Sequence, residues 1–407
     1  MADDDDARVS GGALWHELGQ RIEQLGALVL ADDAPASPAQ RTVGLRYLTR
    51  FLAAGIRVCI ECDDPDHPRF GRMIDDAMSW GLDNPDCNYS WARVRGDASY
   101  RIEGLRGSAC HLEFQVNTGH MGDGRMPGFG GDGDTWRTIS HLSARDLRCD
   151  ADGRFEIVLD AEPHDGNWLR LEPDARHVLV RQYFDDWERE RPAVFSIERE
   201  GAEYPGPPLT PERLAAHWDT LLTWLDAGAR GWDRVSRLML SLEPNTLLVF
   251  DVRDDAVDRP GLHGQVYGMG PFSCAPDEAV VLEFRPPRCA MWSASLCNFW
   301  WESLEAGRRQ TSLNSHWARL DADGMFRGVI AHRDPGVPNW LDTEGNERGT
   351  LAVRFLFGEA TPKPLLRPVK LGELRATLPP DTPRVGLEER AAVLSRRSRA
   401  LQRRYGY

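Results

Sequence analysis

Apolar residues recur at helical spacing in the first sixty positions of the chain. Two such sets are Leu14, Trp15, Leu18, Ile22, Leu25 and Leu28, and then Leu45, Leu48, Leu52, Ile56 and Cys59. Apolar side chains that return every three to four positions indicate amphipathic helices. Pro35 and Pro65 follow the two sets, and proline cannot extend a helix. The pattern therefore predicts an N-terminal helical region over residues 1–86.

Alternation replaces the helical pattern after this region. Polar and apolar positions alternate in short runs at 100–102 and 111–116, and turn residues separate the runs. Such alternation is typical of half-buried β-strands. We therefore predict a first β-rich block over residues 87–200 and, where strands resume, a second block over residues 246–375.

A helical connector, residues 201–245, is predicted between the two blocks. Thr210 caps the first N–H groups of this helix, Pro211 suits its first position, and Glu212 lies near the positive end of its dipole. An apolar face continues the helix through Leu214, Trp218, Leu221, Leu222 and Leu225.

The two β-rich blocks repeat one another. Residues 150–169 read DADGRFEIVLDAEPHDGNWL, and residues 321–341 read DADGMFRGVIAHRDPGVPNWL; a Val-Arg pair then follows in each copy, at 180–181 and at 353–354. In both copies Asp-Gly supplies the left-handed turn that a tight hairpin requires. Many short strands with frequent turns favour sandwiches. The sequence thus predicts two duplicated antiparallel β-sandwiches joined by a helical connector.

Length and composition agree with this organisation. A chain of 407 residues is too long for one ordinary core and suggests two or three domains. Apolar residues at 41% and charged residues at 28% are close to the averages for globular proteins. No window approaches the roughly 20 apolar residues of a membrane helix, so we expect a soluble protein without a membrane span.

Charge and cysteine usage limit the location and the partners. The N-terminal sequence MADDDDARVSGG carries four aspartates where a secretory signal carries positive charge, so we expect a cytoplasmic protein. The eight cysteines lie mostly in apolar stretches, which is typical of reduced core thiols. A formal net charge of −14 opposes attachment to phosphate backbones, so no nucleic-acid partner is expected.

The C-terminal residues 376–407 form a predicted basic helix. The arginines that lie there on a helical pattern are Arg390, Arg396, Arg397, Arg399, Arg403 and Arg404. Runs of charge are usually solvated faces. We therefore predict a solvated helix that packs on an acidic body or on a partner subunit, which leaves a homo-oligomer open.

Several ordered motifs resemble bacterial proteins that carry the domain of unknown function 1214. They are DNPDxxY with YRIxG, DADGxF with NWL and VR, and RQTSLN with AHRDPGxPNWLD, and together they cover most of residues 45–400. The resemblance implies jelly-roll β-sandwiches, often accompanied by the related domain of unknown function 1254. The expected fold is therefore mainly β with helical additions, built from two jelly-roll-like copies. The resemblance implies no reaction and no catalytic residues.

An aromatic stretch, CNFWWESLE at 297–305, leads into RRQTSLN at 308–314. Adjacent tryptophans on a strand point to opposite faces, so one of them can line a cavity. Small-molecule sites combine apolar walls with a few polar groups. The predicted substrate-binding residues are Trp300, Trp301, Glu302, Arg309, Gln310 and Asn314. The alternative is sandwich core followed by a hydrogen-bonded turn.

A histidine and an aspartate lie together in the second copy, at His332 and Asp334. A carboxylate beside an imidazole fixes its tautomer and stabilises its charged form, as a general base requires. His332 is the predicted acid or base and Asp334 the residue that orients it. The alternative is a turn in which the aspartate accepts backbone N–H groups.

No cofactor is predicted, although two aspartate clusters leave magnesium open. Asp63, Asp64 and Asp66 form the first cluster, and Asp83 with Asp86 forms the second. The prolines inside both clusters favour tight turns instead. A glycine-rich segment at 119–134 lacks the Lys-Ser/Thr of a phosphate loop; it is expected to be a loop, and a lid over a nearby pocket is the other interpretation.

Three hypotheses about function follow. The leading one is an enzyme of the hydratase, dehydratase or isomerase type that uses general acid/base chemistry on a small, largely apolar metabolite such as a lipid, steroid or terpenoid. The alternative is a non-catalytic sandwich that binds a lipid, terpenoid or carbohydrate, or that builds an oligomeric scaffold. The third is magnesium-dependent chemistry on a diphosphate. Sandwich folds host binding and catalysis alike.

Overall fold

The computed structural model describes residues 2–127, 135–252 and 263–406. The α-helices in these ranges are α1 Ala2–Ser10, α2 Ala13–Leu30, α3 Pro38–Ile56, α4 Pro211–Leu240, α5 Leu374–Thr377 and α6 Leu387–Tyr405. A π-helical turn, Arg57–Glu61, continues α3, and 3₁₀ turns lie at Met121–Asp123 and Leu371–Glu373. Among these described helices, none has both the length and the apolar character that crossing a bilayer requires.

The described strands divide into two sets. The first set is β1 Gly71–Ile74, β2 Cys87–Arg93, β3 Tyr100–Leu105, β4 His111–Asn117, β5 Thr138–Ser143, β6 Arg154–Asp160, β7 Trp168–Arg170, β8 His177–Tyr183 and β9 Val194–Arg199. The second set is β10 Leu248–Val252, β11 Gln265–Ser273, β12 Glu278–Phe284, β13 Met291–Cys297, β14 Ser312–Asn314, β15 Phe326–Ala331, β16 Trp340–Asp342, β17 Arg348–Leu356 and β18 Leu365–Lys370. The protein is mainly β with helical additions, as predicted.

The two sets form sandwiches of the same topology. The first sandwich pairs an inner sheet of order β1-β2-β8-β4-β5 with an outer sheet of order β7-β6-β3-β9. The second repeats this order strand for strand, with an inner sheet β10-β11-β17-β13-β14 and an outer sheet β16-β15-β12-β18. The duplication seen in the sequence is therefore a duplication of the whole unit. Strand β1 lies within the stretch that was expected to be helical, because four residues are too few to show alternation.

The repeated Asn-Trp-Leu corner makes the same contacts in both copies. Asn167 accepts a hydrogen bond from the backbone N–H of Arg148 and donates to the carbonyls of Arg148 and Glu156, each at 2.8 Å. Asn339 makes the three equivalent bonds to Arg319 and Arg327, at 2.6–3.1 Å. The corner is retained because one amide side chain satisfies backbone groups of a loop and of a neighbouring strand.

Three hydrophobic cores account for most of the packing. One lies within each sandwich, between its inner and outer sheets. The third, which we call the common core, contains residues of α2, α3 and α4 together with the other face of both inner sheets, for example Tyr183 and Leu356. Because strand residues alternate between faces, each inner sheet contributes one face to its own sandwich and one to the common core.

The C-terminal helix α6 is not a solvated helix on all sides. Arg390, Arg397 and Arg404 recur every seven residues and are buried, whereas Arg396, Arg399 and Arg403 are exposed. Two turns of a helix take about seven residues, so the three buried arginines share one face. The side of the helix that packs on the rest of the protein is therefore the one that carries these three arginines, and the other arginines lie on its solvated side.

The buried arginines of α6 hold contacts to both sandwiches. Arg390 pairs with Asp334 at 2.9 Å, the guanidinium of Arg397 lies 4.5 Å from the ring centre of Trp187, and Arg404 donates to the carbonyl of Pro85 at 2.6 Å.

Candidate functional site

A cavity of about 130 Å³ lies in the common core, between the two inner sheets. Strands β2, β4 and β8 line one side and strands β11 and β17 the other, and α4 closes one end with Trp232. The residues that give the cavity its character are Tyr89, Arg181, Tyr183, Tyr267, Arg354 and Trp232. A polar and aromatic cavity inside a core that is otherwise apolar is the leading candidate for a site.

The same tyrosine–arginine pair lines the cavity from each copy. Tyr89 on β2 lies directly opposite Arg181 on β8, and Tyr267 on β11 lies directly opposite Arg354 on β17. Residues opposite each other on neighbouring strands project on the same side of the sheet. Two guanidinium groups and two phenol rings therefore enter the cavity from opposite walls.

Arg181 is linked to a carboxylate of its own sheet. It donates to the side-chain oxygen of Gln115, and the Gln115 amide donates to Glu113 at 2.5 Å. Glu113 lies opposite Arg181 in the β4–β8 register, and its other oxygen lies 3.4 Å from Nε2 of His111. The first arginine thus belongs to a buried chain of polar side chains.

Arg354 is bonded only to neutral groups in the described structure. It donates to Oγ of Ser295 at 3.0 Å and to the carbonyl of Leu82 at 2.7 Å. The residue opposite it on β13 is Ser293, whose buried hydroxyl has no hydrogen-bond partner among the described residues. Charged groups are costly to bury unless an opposite charge accompanies them.

Two strained backbone positions form part of the cavity wall. Leu82 has φ 58° and Trp301 has φ 59°, and the N–H of Leu82 donates to the carbonyl of Trp301 at 2.8 Å. Bulky side chains rarely adopt the left-handed conformation. Strain of this kind costs free energy and persists mainly at functional sites, so its presence at two bonded residues of one wall supports a functional role.

Aromatic rings cover much of the remaining wall. The ring centres of Trp232 and Trp301 are 5.7 Å apart, and those of Trp80 and Trp232 are 6.1 Å apart. Gly81 has φ +69°, and a Cβ atom at this position would lie 3.1 Å from the Trp232 ring. Glycine is needed there because the turn is left-handed and passes close to the tryptophan.

The hydroxyl groups of Tyr89 and Tyr183 remain protonated over the physiological range. Burial raises the pKa of Tyr89 and of Tyr183 well above the ordinary value. A phenol with a raised pKa remains protonated at neutral pH, so both side chains keep an O–H group, and the hydroxyl oxygen of Tyr89 accepts from the N–H of Asn84 at 3.1 Å.

Of the predicted substrate-binding residues, Trp301 lines the cavity. Trp300 packs on the other side, where its ring centre lies 6.0 Å from that of Tyr47 in α3. The two tryptophans follow the end of β13 in a turn rather than a strand, and the positive φ of Trp301 is what separates their directions.

The predicted polar residues of that stretch make structural contacts. Glu302 pairs with Arg50 at 2.7 Å and is fully buried, and Arg309 pairs with Asp342 at 2.8 Å. Gln310 donates to the carbonyls of Pro338 and Trp340, and Asn314 donates to Asp86 at 2.8 Å. None of these four side chains lines the cavity.

His332 and Asp334 are not hydrogen-bonded to each other. The imidazole of His332 bonds through Nε2 to the carbonyl of Cys274 at 2.7 Å and through Nδ1 to Thr343 at 2.8 Å. Asp334 accepts from the N–H of Gly336 and from Arg390. Because both groups have other partners, the structure does not bring them together as an acid/base pair.

The aspartate clusters are occupied by local hydrogen bonds. Asp64 accepts the N–H groups of Asp66 and His67, and Asp83 accepts from Ser79 and Ser303. The part of the chain that the structure describes contains no group of three or more His, Cys, Asp or Glu side chains arranged to hold a metal ion. The glycine-rich segment lies partly outside the described residues, at 128–134.

Arg181 and Arg354 line the cavity but were not predicted from the sequence, although one feature of the sequence indicates them. Arg181 and Arg354 are the charged residues in the apolar runs HVLVRQY and LAVRFL, and both copies have them after a valine. An ionisable residue in an otherwise buried strand needs a partner. The repeat predicts a duplicated fold, and it also marks one arginine in each of two walls of the cavity.

The sequence matches no protein-family model and no curated protein, so the resemblance to the domain of unknown function 1214 stays a prediction. Among solved structures, an uncharacterized protein from Burkholderia cenocepacia is 32% identical, with a TM-score of 0.82 over 90% of this chain and 99% of that one. A protein from Vibrio parahaemolyticus is 12% identical, with a TM-score of 0.43 over 85% of this chain and 100% of that one. The chain belongs to the family of the Burkholderia cenocepacia protein.

Proposed function

We propose that this protein binds a small, largely apolar molecule in the cavity between its two inner sheets. The observation that carries the proposal is the wall of this cavity, in which aromatic rings surround two guanidinium groups at equivalent positions of the two copies.

The wall of the cavity departs from what stability alone favours. Protein interiors are close-packed, and their buried charges are usually paired. This cavity also holds buried charge and two strained residues, Leu82 and Trp301. Stability alone favours an apolar, unstrained core at this position, so binding is the better explanation of the arrangement.

The size of the cavity restricts the ligand to about one ring. An engineered apolar cavity of about 150 Å³ binds benzene, and the present one measures about 130 Å³. A single aromatic or alicyclic ring with a short substituent therefore fits between the tyrosines and Trp232.

Catalysis through His332 and Asp334 does not follow from this geometry. Neither residue lines the cavity, and each is engaged in hydrogen bonds elsewhere. The proposal is therefore limited to binding.

Native mass spectrometry of gently purified protein tests the proposal. We expect an adduct on the wild-type chain and its loss in Leu179→Trp, because the larger side chain fills the cavity that Leu179 lines. The matched control is Leu105→Trp, the same change at a half-exposed position of β3, which should retain the adduct.

Thermal unfolding with added indole, benzamide or benzoate at millimolar concentration gives a second readout, since a ligand that binds the folded state raises the Tm. Absence of an adduct, together with unchanged Tm values for all three probes, would show that the cavity does not bind such molecules.

A further inference from the structure

The two tyrosine–arginine pairs are equivalent in position but not in charge environment. On β4 the residue opposite Arg181 is Glu113, and on β13 the residue opposite Arg354 is Ser293. The position that carries a carboxylate in the first copy therefore carries a hydroxyl in the second. The neighbouring position differs as well, with Gln115 opposite Leu179 and Ser295 opposite Ala352.

Glu113 compensates the charge of Arg181 through Gln115. The carboxylate is 1% exposed and the connecting amide is also buried, so the interaction is screened little by solvent. Arg181 is itself only partly buried and donates one hydrogen bond, to Gln115. The first pair is thus balanced within its own sheet.

Arg354 has no carboxylate within ion-pair distance among the described residues. Its side chain is 6% exposed, and its two hydrogen bonds go to a hydroxyl and to a carbonyl. The carboxylate of Asp83 also lines the cavity, but it accepts from Ser79 and from the N–H and hydroxyl of Ser303, at 2.6–2.8 Å, rather than from Arg354.

We infer that the ligand is a small organic anion, a carboxylate on a ring, and that its charged group binds Arg354 in preference to Arg181. This inference rests on the proposed function, since it assigns the charge of the molecule that the cavity binds. A planar guanidinium fork matches a carboxylate in two parallel hydrogen bonds.

Benzoate and its neutral isostere benzamide are the probes that test whether the ligand is an anion. We expect calorimetry with the full-length protein to show benzoate binding roughly tenfold or more tighter than benzamide, because hydrogen bonds to a charged group contribute more than neutral ones. Affinity for benzamide equal to that for benzoate would overturn the anion inference and leave the binding proposal standing.

Substitutions that exchange residues between the two copies test which of the two arginines binds the anion. Ser293→Asp places a carboxylate opposite Arg354, as Glu113 lies opposite Arg181, and should weaken benzoate by roughly tenfold or more while benzamide is unaffected. Glu113→Gln removes the compensating charge of Arg181 and should strengthen benzoate. A pattern in which Glu113→Gln strengthens benzoate binding but Ser293→Asp leaves it unchanged would assign the anion to Arg181.

Arg354→Gln provides the direct deletion, with its folding checked by the Tm. We expect benzoate binding to weaken by roughly tenfold or more and benzamide binding to weaken by a smaller factor, and an equal loss for both would overturn the inference. The chemical identity of the co-purified adduct gives an independent readout. A carboxylic acid supports the inference, whereas a neutral molecule overturns it without affecting the binding proposal. If neither an adduct nor binding of any probe is found, the binding proposal itself is contradicted.

Discussion

The two sandwiches share their strand order, yet the solvent side of their outer sheets differs in character. Arg101 on β3 and Val281 on β12 occupy the same place, each opposite a valine of the neighbouring strand. Arg101 forms ion pairs with Glu156 and Glu200 at the surface, whereas Val281 is fully buried in a small core. The difference shows that one duplicated surface can become either exterior or interior.

The segment that follows the second copy decides this difference. Leu374 and Leu378, which come after β18, pack on the apolar residues of β12 and β15. On the equivalent face of the first copy, Arg101, Glu156 and Glu200 form partly exposed ion pairs instead of an apolar core. Because apolar residues are favoured only where water is removed, the composition of each outer sheet follows from what covers it.

The inner sheets differ in another way. On β4 the residues that face the common core are polar, with His111, Glu113 and Gln115 buried in a row. On β13 the equivalent row is small or apolar and includes Ser293 and Ser295. The contrast leaves Arg354 without the compensation that Arg181 has, and that asymmetry supports the inferred orientation of the ligand.

The largest effect is expected when the equivalent residues of the two outer sheets, Val281 and Arg101, are exchanged. Val281→Arg should destabilise the protein by about 4 kcal/mol or more, because it buries an unpaired charge in the covered core. The reciprocal change Arg101→Val should cost within about 1 kcal/mol, since exposed ion pairs contribute little. Urea unfolding measures both, and similar losses for the two variants would contradict the assignment of one covered and one open face.

The shared Asn-Trp-Leu corner should behave alike in both copies. Asn167→Ala and Asn339→Ala each remove three hydrogen bonds to backbone groups. We expect each to lower the free energy of unfolding by about 2–4 kcal/mol, because nearly buried backbone groups lose their partner. Equal unfolding losses would sharpen the comparison, and a large loss in one copy alone would contradict the common role.

The smallest expected effect is a loss of stability at acidic pH, which should come from histidines of the first copy. Burial lowers the pKa of His120 and of His177 well below the ordinary value, while the position equivalent to His177 on β17 is Thr350. The unfolded chain binds protons below about pH 6.5 and the folded chain does not, so stability falls as the pH falls below that value. His177→Thr should reduce this loss in the free energy of unfolding by about 1 kcal/mol per pH unit.

Unfolding free energies at several pH values between 6.5 and 5 check this expectation, with His16→Gln on the exposed side of α2 as the control. Burial raises the pKa of Asp86 to about 6 and that of Glu190 to about 7. These carboxyl groups change stability in the opposite direction, since their contribution to the free energy of unfolding is lost as the pH rises. The comparison between variant and wild type therefore uses the slope of the unfolding free energy against pH rather than its absolute value. Identical slopes would exclude His177 as a source of acid sensitivity.

Local patterns in the sequence were sufficient for the main elements. The cap at Thr210 and Pro211 marks the start of α4 as observed, and Gly153 and Gly324 both take the positive φ that the predicted hairpins require. These features depend on residues close together in the chain, which is why they could be predicted. The sequence did not show which arginines of α6 are buried, because charge is a poor guide to burial when aromatic rings and carbonyls surround it.

The candidate site was less accessible to sequence reasoning. Trp301 was predicted to line a cavity and does, but its partners come from strands far away in the chain, such as Tyr89 and Arg181. The predicted acid/base pair failed to form because His332 and Asp334 found other partners across the fold. Spacing in a turn does not fix which neighbour a polar side chain meets.

The sequence by itself determined the duplicated strand pattern, the helices and the retained Asn-Trp-Leu corner, because these depend on periodicity and on short-range hydrogen bonds. Only the tertiary structure decided which faces became interior, which arginines were buried, and that Arg181 and Arg354 line one cavity. The physical reason is that burial and charge compensation depend on all the elements packed around a residue, and those elements are distant in sequence.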